Sequence, residues 1–208
     1  NYAPAAANGS AFIRGIYASS GIDSIAGNTV RNLSASGNGN GSGNNATVTG
    51  ISNFSSTAGN NYIRANTIHS LTNSNVSAAC YVTGIFYNGP ATGGTIDRNL
   101  VYALTTPSII GFVNGINAGG QTATYQNNMI RLGIDAAGVT TATATNYNGI
   151  LETAGNNSFL HNTVYIGGTG VNTSPPTSTY AFYNNALLTG TRVIRNNIFI
   201  NERTSGST

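Results

Sequence analysis

One asparagine returns six times along this chain with the same neighbours. The stretches IRANTIHSL (63–71), IDRNLVYAL (96–104), YQNNMIRLG (125–133) and FLHNTVYIG (159–167) each carry it at their fourth place. Aligned on that residue, the chain gives Asn28, Asn66, Asn99, Asn128, Asn162 and Asn197, at spacings of 38, 33, 29, 34 and 35. Three positions earlier stand Ile25, Ile63, Ile96, Tyr125, Phe159 and Ile194. Two positions later stand Val30, Ile68, Val101, Ile130, Val164 and Phe199. A catalytic residue is needed once; a residue that recurs at this interval marks a repeat architecture.

The segments around each asparagine are short, rich in β-branched residues and bounded by Gly, Asn and Ser, which reads as strand rather than helix. A second anchor precedes each one: the Gly-Ile pairs at Gly15, Gly50, Gly84, Gly115 and Gly149, replaced by Ala-Phe at Ala181. A glycine at a fixed strand position implies a close backbone approach or a bend. Long turn-forming stretches join one unit to the next. Three short strands per unit, stacked unit on unit, predict an all-β fold: a right-handed parallel β-helix of about six coils. A propeller blade is longer than these units, and a sandwich gives no reason for one asparagine to recur.

In this fold the asparagine has a role. The strands on either side of it are nearly contiguous, so the chain must turn within a residue or two. Asn tolerates the left-handed conformation better than most residues. Its amide donates and accepts, so six of them stacked about 4.8 Å apart form an expected hydrogen-bonded ladder: Asn28, Asn66, Asn99, Asn128, Asn162, Asn197.

Composition excludes several other classes. Charged residues are 6% of the chain, yet 39% are apolar and recur in a pattern, so the chain is not disordered. The net charge is +3 and every basic residue is an arginine, dispersed along the chain. Nucleic-acid binders cluster their basic residues on one face, so no nucleic-acid partner is expected. No apolar run reaches the length of a membrane span, and no membrane insertion is expected. The single cysteine, Cys80, reads as a small buried hydrophobe.

Stretches such as NNMIRLG, HNTVYIGGTG and RNNIFINERTSG resemble the right-handed β-helix repeats of large secreted surface proteins of Gram-negative bacteria, many of them exported by the type IX system. The resemblance covers nearly the whole chain. It implies an extracellular, cell-surface location and a single module, 1–208, within a longer chain or a stacked assembly. It does not imply an activity, since the fold hosts many functions.

The five acids, Asp23, Asp97, Asp135, Glu152 and Glu202, do not fall at one repeat position. No carboxylate pair of the kind that glycoside hydrolysis needs is evident. No catalytic residue, cofactor or metal is assigned. One outward column is the candidate ligand stripe: Arg31, His69, Tyr102, Arg131 and Tyr165, each three after its asparagine. It reads either as side chains packed on one another or as a platform for surface glycans. Arg64 and Asp97, each two before its asparagine, are expected to pair across adjacent coils. A threonine array for ice is broken, because Thr29, Thr67 and Thr163 alternate with Leu100, Met129 and Ile198.

Neither the opening NYAPAAANGSAF nor the last unit reads as a polar cap, which a solenoid requires at its ends. The expected partners are neighbouring β-helix repeats or identical modules, end to end. The leading reading is a non-catalytic structural or adhesive surface module, a stalk or filament subunit. The alternative is a carbohydrate-binding or polysaccharide-processing β-helix.

Overall fold

The computed structural model describes residues 12–39, 41–90, 93–120, 122–172, 177–187 and 190–205. It contains eighteen strands. The first coil is β1 (Ile13–Ala18), β2 (Ser24–Ala26) and β3 (Thr29–Ala35). The second is β4 (Val48–Asn53), β5 (Asn61–Arg64) and β6 (Thr67–Asn73), and the third is β7 (Tyr81–Tyr87), β8 (Gly94–Asp97) and β9 (Leu100–Thr105). The fourth is β10 (Phe112–Ala118), β11 (Thr124–Gln126) and β12 (Met129–Leu132). The fifth is β13 (Asn146–Glu152), β14 (Ser158–Leu160) and β15 (Thr163–Ile166), and the sixth is β16 (Thr179–Asn184), β17 (Val193–Arg195) and β18 (Ile198–Asn201). Like strands of successive coils pair in parallel, giving three six-stranded sheets. Each strand therefore sits directly on its counterpart, and the chain is a parallel β-solenoid.

The repeat anchors fall in register. Ile25, Ile63, Ile96, Tyr125, Phe159 and Ile194 form one column of the second sheet. Val30, Ile68, Val101, Ile130, Val164 and Phe199 form one column of the third. Apart from the exposed Ile194, both columns point into the common core with Ile51, Ile85, Ile116 and Ile150 of the first sheet. Burying one such side chain contributes roughly 1.5–3 kcal/mol relative to leaving it exposed. A coil alone has nothing to bury these residues against, so stacking stabilises the whole. Toward the later coils the core becomes aromatic. The rings of Tyr125 and Phe159 stack at 5.1 Å, and Phe182 meets Phe159 edge-on at 4.9 Å.

The glycine anchors set the spacing between two sheets. A Cβ placed on Gly115 would lie 2.5 Å from the carbonyl oxygen of Gly149 and 2.5 Å from Cγ2 of Ile130. Gly50 and Gly84 are equally tight against Ile68 and Val101. The first sheet thus presses its backbone onto the side chains of the third, which only glycine permits. Gly115→Ala is expected to destabilise the protein by about 1–3 kcal/mol through overpacking. Ala181, the sixth-coil counterpart, already carries that methyl group, so Ala181→Gly should change stability far less. Paired urea unfolding curves of the two variants check this.

The turn between the second and third sheets differs from the expectation in one respect. The left-handed residue is not the ladder asparagine but the one before it: Gly27, Ala65, Arg98, Asn127, His161 and Asn196, with φ between 53° and 68°. The non-glycine members cost roughly 1–2 kcal/mol each. Each of the first five donates its backbone N–H to a carbonyl of the next coil, as Ala65 does to Asp97 at 3.0 Å. Bending the chain one residue early leaves each asparagine with ordinary φ and lays its side chain along the solenoid axis inside the corner.

The expected ladder is present. Asn66 donates from its backbone N–H and from Nδ2 to Oδ1 of Asn99, at 3.1 and 2.9 Å, and from Nδ2 to the Ile25 carbonyl of the coil before, at 2.9 Å. The same three bonds recur at Asn99 and Asn128, and again at Asn162. From Asn66 through Asn162 these side chains are essentially fully buried. Every amide donor and acceptor there is spent on holding coil to coil.

The first sheet is covered on its outer face. Residues of β4, β7, β10 and β13 are buried in nearly unbroken runs. The connection after β3 lies over this face. Arg14 donates to the Asn44 carbonyl and Asn117 to the Ser42 carbonyl, while Gly43 sits against the Phe86 ring. Any long open surface must therefore lie on the second or third sheet.

The two ends of the stack differ. In the first coil Ile25 and Val30 are 8% and 7% exposed, whereas in the sixth Ile194 is 48% exposed, with Ile198 and Ile200 also open. The opening stretch read as uncapped, residues 1–11, lies outside the described residues.

Candidate functional site

The candidate stripe stands as a continuous outward column on the third sheet. Arg31 pairs in register with His69, His69 with Tyr102, Tyr102 with Arg131, and Arg131 with Tyr165. Alternation along the strand puts these side chains outward because Val30, Ile68, Val101, Ile130 and Val164 point in.

The stacking geometry decides how they present themselves. The rings of His69 and Tyr102 lie parallel at 4.8 Å with an 8° interplanar angle. The Arg131 guanidinium lies 5.5 Å from the Tyr102 centroid. Both faces of Tyr102 are thus occupied by neighbouring rungs, and what it turns to solvent is its edge. The His69 Nδ1 lies 3.0 Å from the Ser70 hydroxyl. Partial burial, with the Arg31 charge behind it, lowers the His69 imidazole below its ordinary value, so it is neutral near pH 7. The Tyr165 hydroxyl donates to Glu202 at 3.2 Å.

A groove of about 370 Å³ runs beside the later rungs. One wall is Tyr102, Arg131 and Tyr165, and the other is Leu100, Met129 and Thr163. Leu100 is 37% and Met129 57% exposed. Sequence reasoning met these two residues only as interruptions of a threonine column. Their meaning becomes legible once the neighbouring column is known to stand beside them. The signal was an outward position that turns apolar in adjacent coils.

The acids are accounted for by local bonds. Arg64 and Asp97 are register neighbours, yet the expected pair between them does not form. Asp97 is taken by Arg98 at 2.7 Å and by Asn127 at 3.2 Å, both on the sharp turns beside it, and Arg64 lies over the Tyr62 ring at 5.8 Å. Asp23 accepts from Asn53 at 2.8 Å, and Asp135 accepts the backbone N–H groups of Ala137 and Val139. Glu152, fully buried, accepts from Arg192 at 2.7 Å and from Asn157 at 2.9 Å. No group of three or more His, Cys, Asp or Glu side chains that would hold a metal occurs among the described residues. No helix there is long and apolar enough to cross a membrane. Cys80 is fully buried with its sulfur 3.2 Å from the Thr106 hydroxyl. Burial pushes its thiol pKa up, which disfavours the reactive thiolate.

One buried group has no evident structural role. The Tyr125 side chain is fully buried, and its hydroxyl has no hydrogen-bond partner. Burial, with Tyr87 and Glu152 nearby, pushes its pKa well above the ordinary phenol value. The ring is a core aromatic whose hydroxyl is carried at a cost of about 1–3 kcal/mol. Tyr125→Phe is expected to be neutral or stabilising by up to about 1 kcal/mol, and its denaturation midpoint measures this directly.

Compared with protein-family models, with curated proteins and with solved structures, the chain matches none of them.

Proposed function

We propose that this chain is a non-catalytic structural module of an extracellular, cell-surface protein, a rod segment extended by further β-helix coils at its sixth-coil end. The observation that carries this is the open end of the stack. Ile194 is 48% exposed there, and Asn197 bonds back to Asn162 and Phe159 but has no rung beyond it among the described residues. Among the described residues β16, β17 and β18 are the outermost strands of their sheets, in the register used everywhere below them. Such an edge pairs readily with another strand. Neighbouring repeats, or an identical module stacked end to end, are the partners of that geometry. The dispersed and locally bonded acids support the absence of catalysis.

Sedimentation and negative-stain microscopy of the purified chain test the assembly half. Rods lengthening in multiples of one module with concentration are expected, and short particles of one length at every concentration overturn it. Surface labelling of intact producing cells tests the location, and label found only after lysis overturns that half. The carbohydrate-binding alternative is favoured by ring faces turned outward, and His69 and Tyr102 turn theirs along the axis.

A further inference from the structure

Arg131 stands at the groove without a carboxylate partner among the described residues. Among the described residues its Nε is buried without a hydrogen-bond partner, and a long bond of 3.4 Å runs from Nη2 to the Asp135 carbonyl. The carboxylate of Asp135 faces backbone N–H groups instead. The two ion pairs among the described residues use Arg98 and Arg192. Arg131 therefore brings to the wall of the groove on the third sheet a positive charge that lies against the Tyr102 ring and has no carboxylate partner among the described residues. A guanidinium binds carboxylates through a planar fork of donors, and with Nε buried it is the terminal Nη groups of Arg131 that a ligand would reach.

The rest of the groove is apolar. Leu100 and Met129 form its far wall, and Tyr102 beside Arg131 offers its edge rather than a face. Its volume of about 370 Å³ lies in the range of small-molecule sites, which are mostly apolar with a few placed polar groups. A sugar would need many hydroxyl partners, and this groove supplies few polar groups.

From this we infer that the groove is a binding site for a small organic carboxylate with a compact apolar body, the body lying against Leu100 and Met129 and the carboxylate on Arg131. The inference goes beyond the structural reading of the rod and stands without it, because the groove lies on the flank and not at an end.

Met129 is the single methionine of the chain, so one ¹³C-labelled methyl resonance reports on the groove. Titration with benzoate is expected to move that resonance saturably, with a dissociation constant on the order of 1 mM. Benzyl alcohol, which keeps the ring without the charge, and acetate, which keeps the charge without the ring, are each expected to bind at least about tenfold more weakly. Arg131→Gln should lose the benzoate response while the melting curve stays cooperative. Leu100→Thr is the second variant: threonine already stands at that column position at Thr29, Thr67 and Thr163, so the fold accommodates it, and binding should weaken several-fold. Four results overturn the inference: no saturable shift up to about 20 mM benzoate, equal shifts with benzyl alcohol, an unchanged response in either variant, or glucuronate binding more tightly than benzoate.

Discussion

Replacing Asn99 by alanine is expected to cost about 3–5 kcal/mol, far more than a surface asparagine. The change removes more than one side chain's bonds. Asn66 loses the acceptor of both its backbone N–H and its Nδ2, the Ile63 carbonyl loses its donor, and Oδ1 of Asn128 loses the Nδ2 donor while keeping the backbone N–H of residue 99. Each of these groups is buried, and a buried group left without a partner costs about 1–3 kcal/mol. Some relaxation and water entry will lower the sum. The measurement is the urea midpoint, compared with Asn28→Ala. Asn28 is the first rung and half-buried, with two side-chain donations to lose, so about 1 kcal/mol is expected there. Equal losses at the two rungs would show that the ladder does not act as a connected column. Asn99→Asp gives a pH signature. The carboxylate keeps the acceptors but sets negative charge against the oxygens of Ile63 and Asn128, which raises its folded pKa. A group with a raised folded pKa contributes stability at low pH and loses it as pH rises, so this variant should be more stable near pH 4 than near pH 7 relative to wild type.

The second large effect is expected at Arg192. Its Nε meets the fully buried carboxylate of Glu152 at 2.7 Å, and its Nη2 reaches the Gly155 carbonyl at 3.2 Å. Arg192 precedes β17 in the sixth coil and Glu152 ends β13 in the fifth, so the pair fastens the last coil to the one below. Arg192→Ala leaves a buried carboxylate with only Asn157 to bond it. Breaking a buried pair from one side costs about 3–5 kcal/mol. The loss should be local, because in a stack each coil contacts only its neighbours. Hydrogen exchange should quicken in β16 to β18 and stay slow around Ile68 and Val101. The double variant Glu152→Gln, Arg192→Ala removes the stranded charge and should recover most of the loss. Exchange that quickened equally in all six coils would refute the local reading.

These two sites mark what a reader of the sequence can and cannot see. The ladder was visible because it repeats: a constraint imposed once per coil prints the same residue at every coil. The inward columns were visible for the same reason, and so were the glycines that let two sheets approach. The left-handed residue beside each asparagine was not. Gly27, Ala65, Arg98, Asn127, His161 and Asn196 share a backbone conformation and no side chain, and an alphabet of side chains does not record φ. The Glu152–Arg192 pair was hidden because it occurs at one junction. Arg64 and Asp97 were read as a pair because register made them neighbours, but the turn residues Arg98 and Asn127 reach Asp97 first.

The stripe shows the same division. Its membership, from Arg31 to Tyr165, followed from counting three residues past each asparagine. Its chemistry did not, because the direction in which a ring faces depends on the rung above it. Stacking turned the faces of His69 and Tyr102 along the axis and left their edges, the Arg131 guanidinium without a carboxylate partner among the described residues, and a groove beside them. The sequence alone determined the period, the sheet to which each residue belongs and the side from which it points, because a solenoid repeats one local geometry. The tertiary structure decided which polar groups find partners and which stay free, because partnership depends on which side chain of a neighbouring coil arrives within hydrogen-bonding distance.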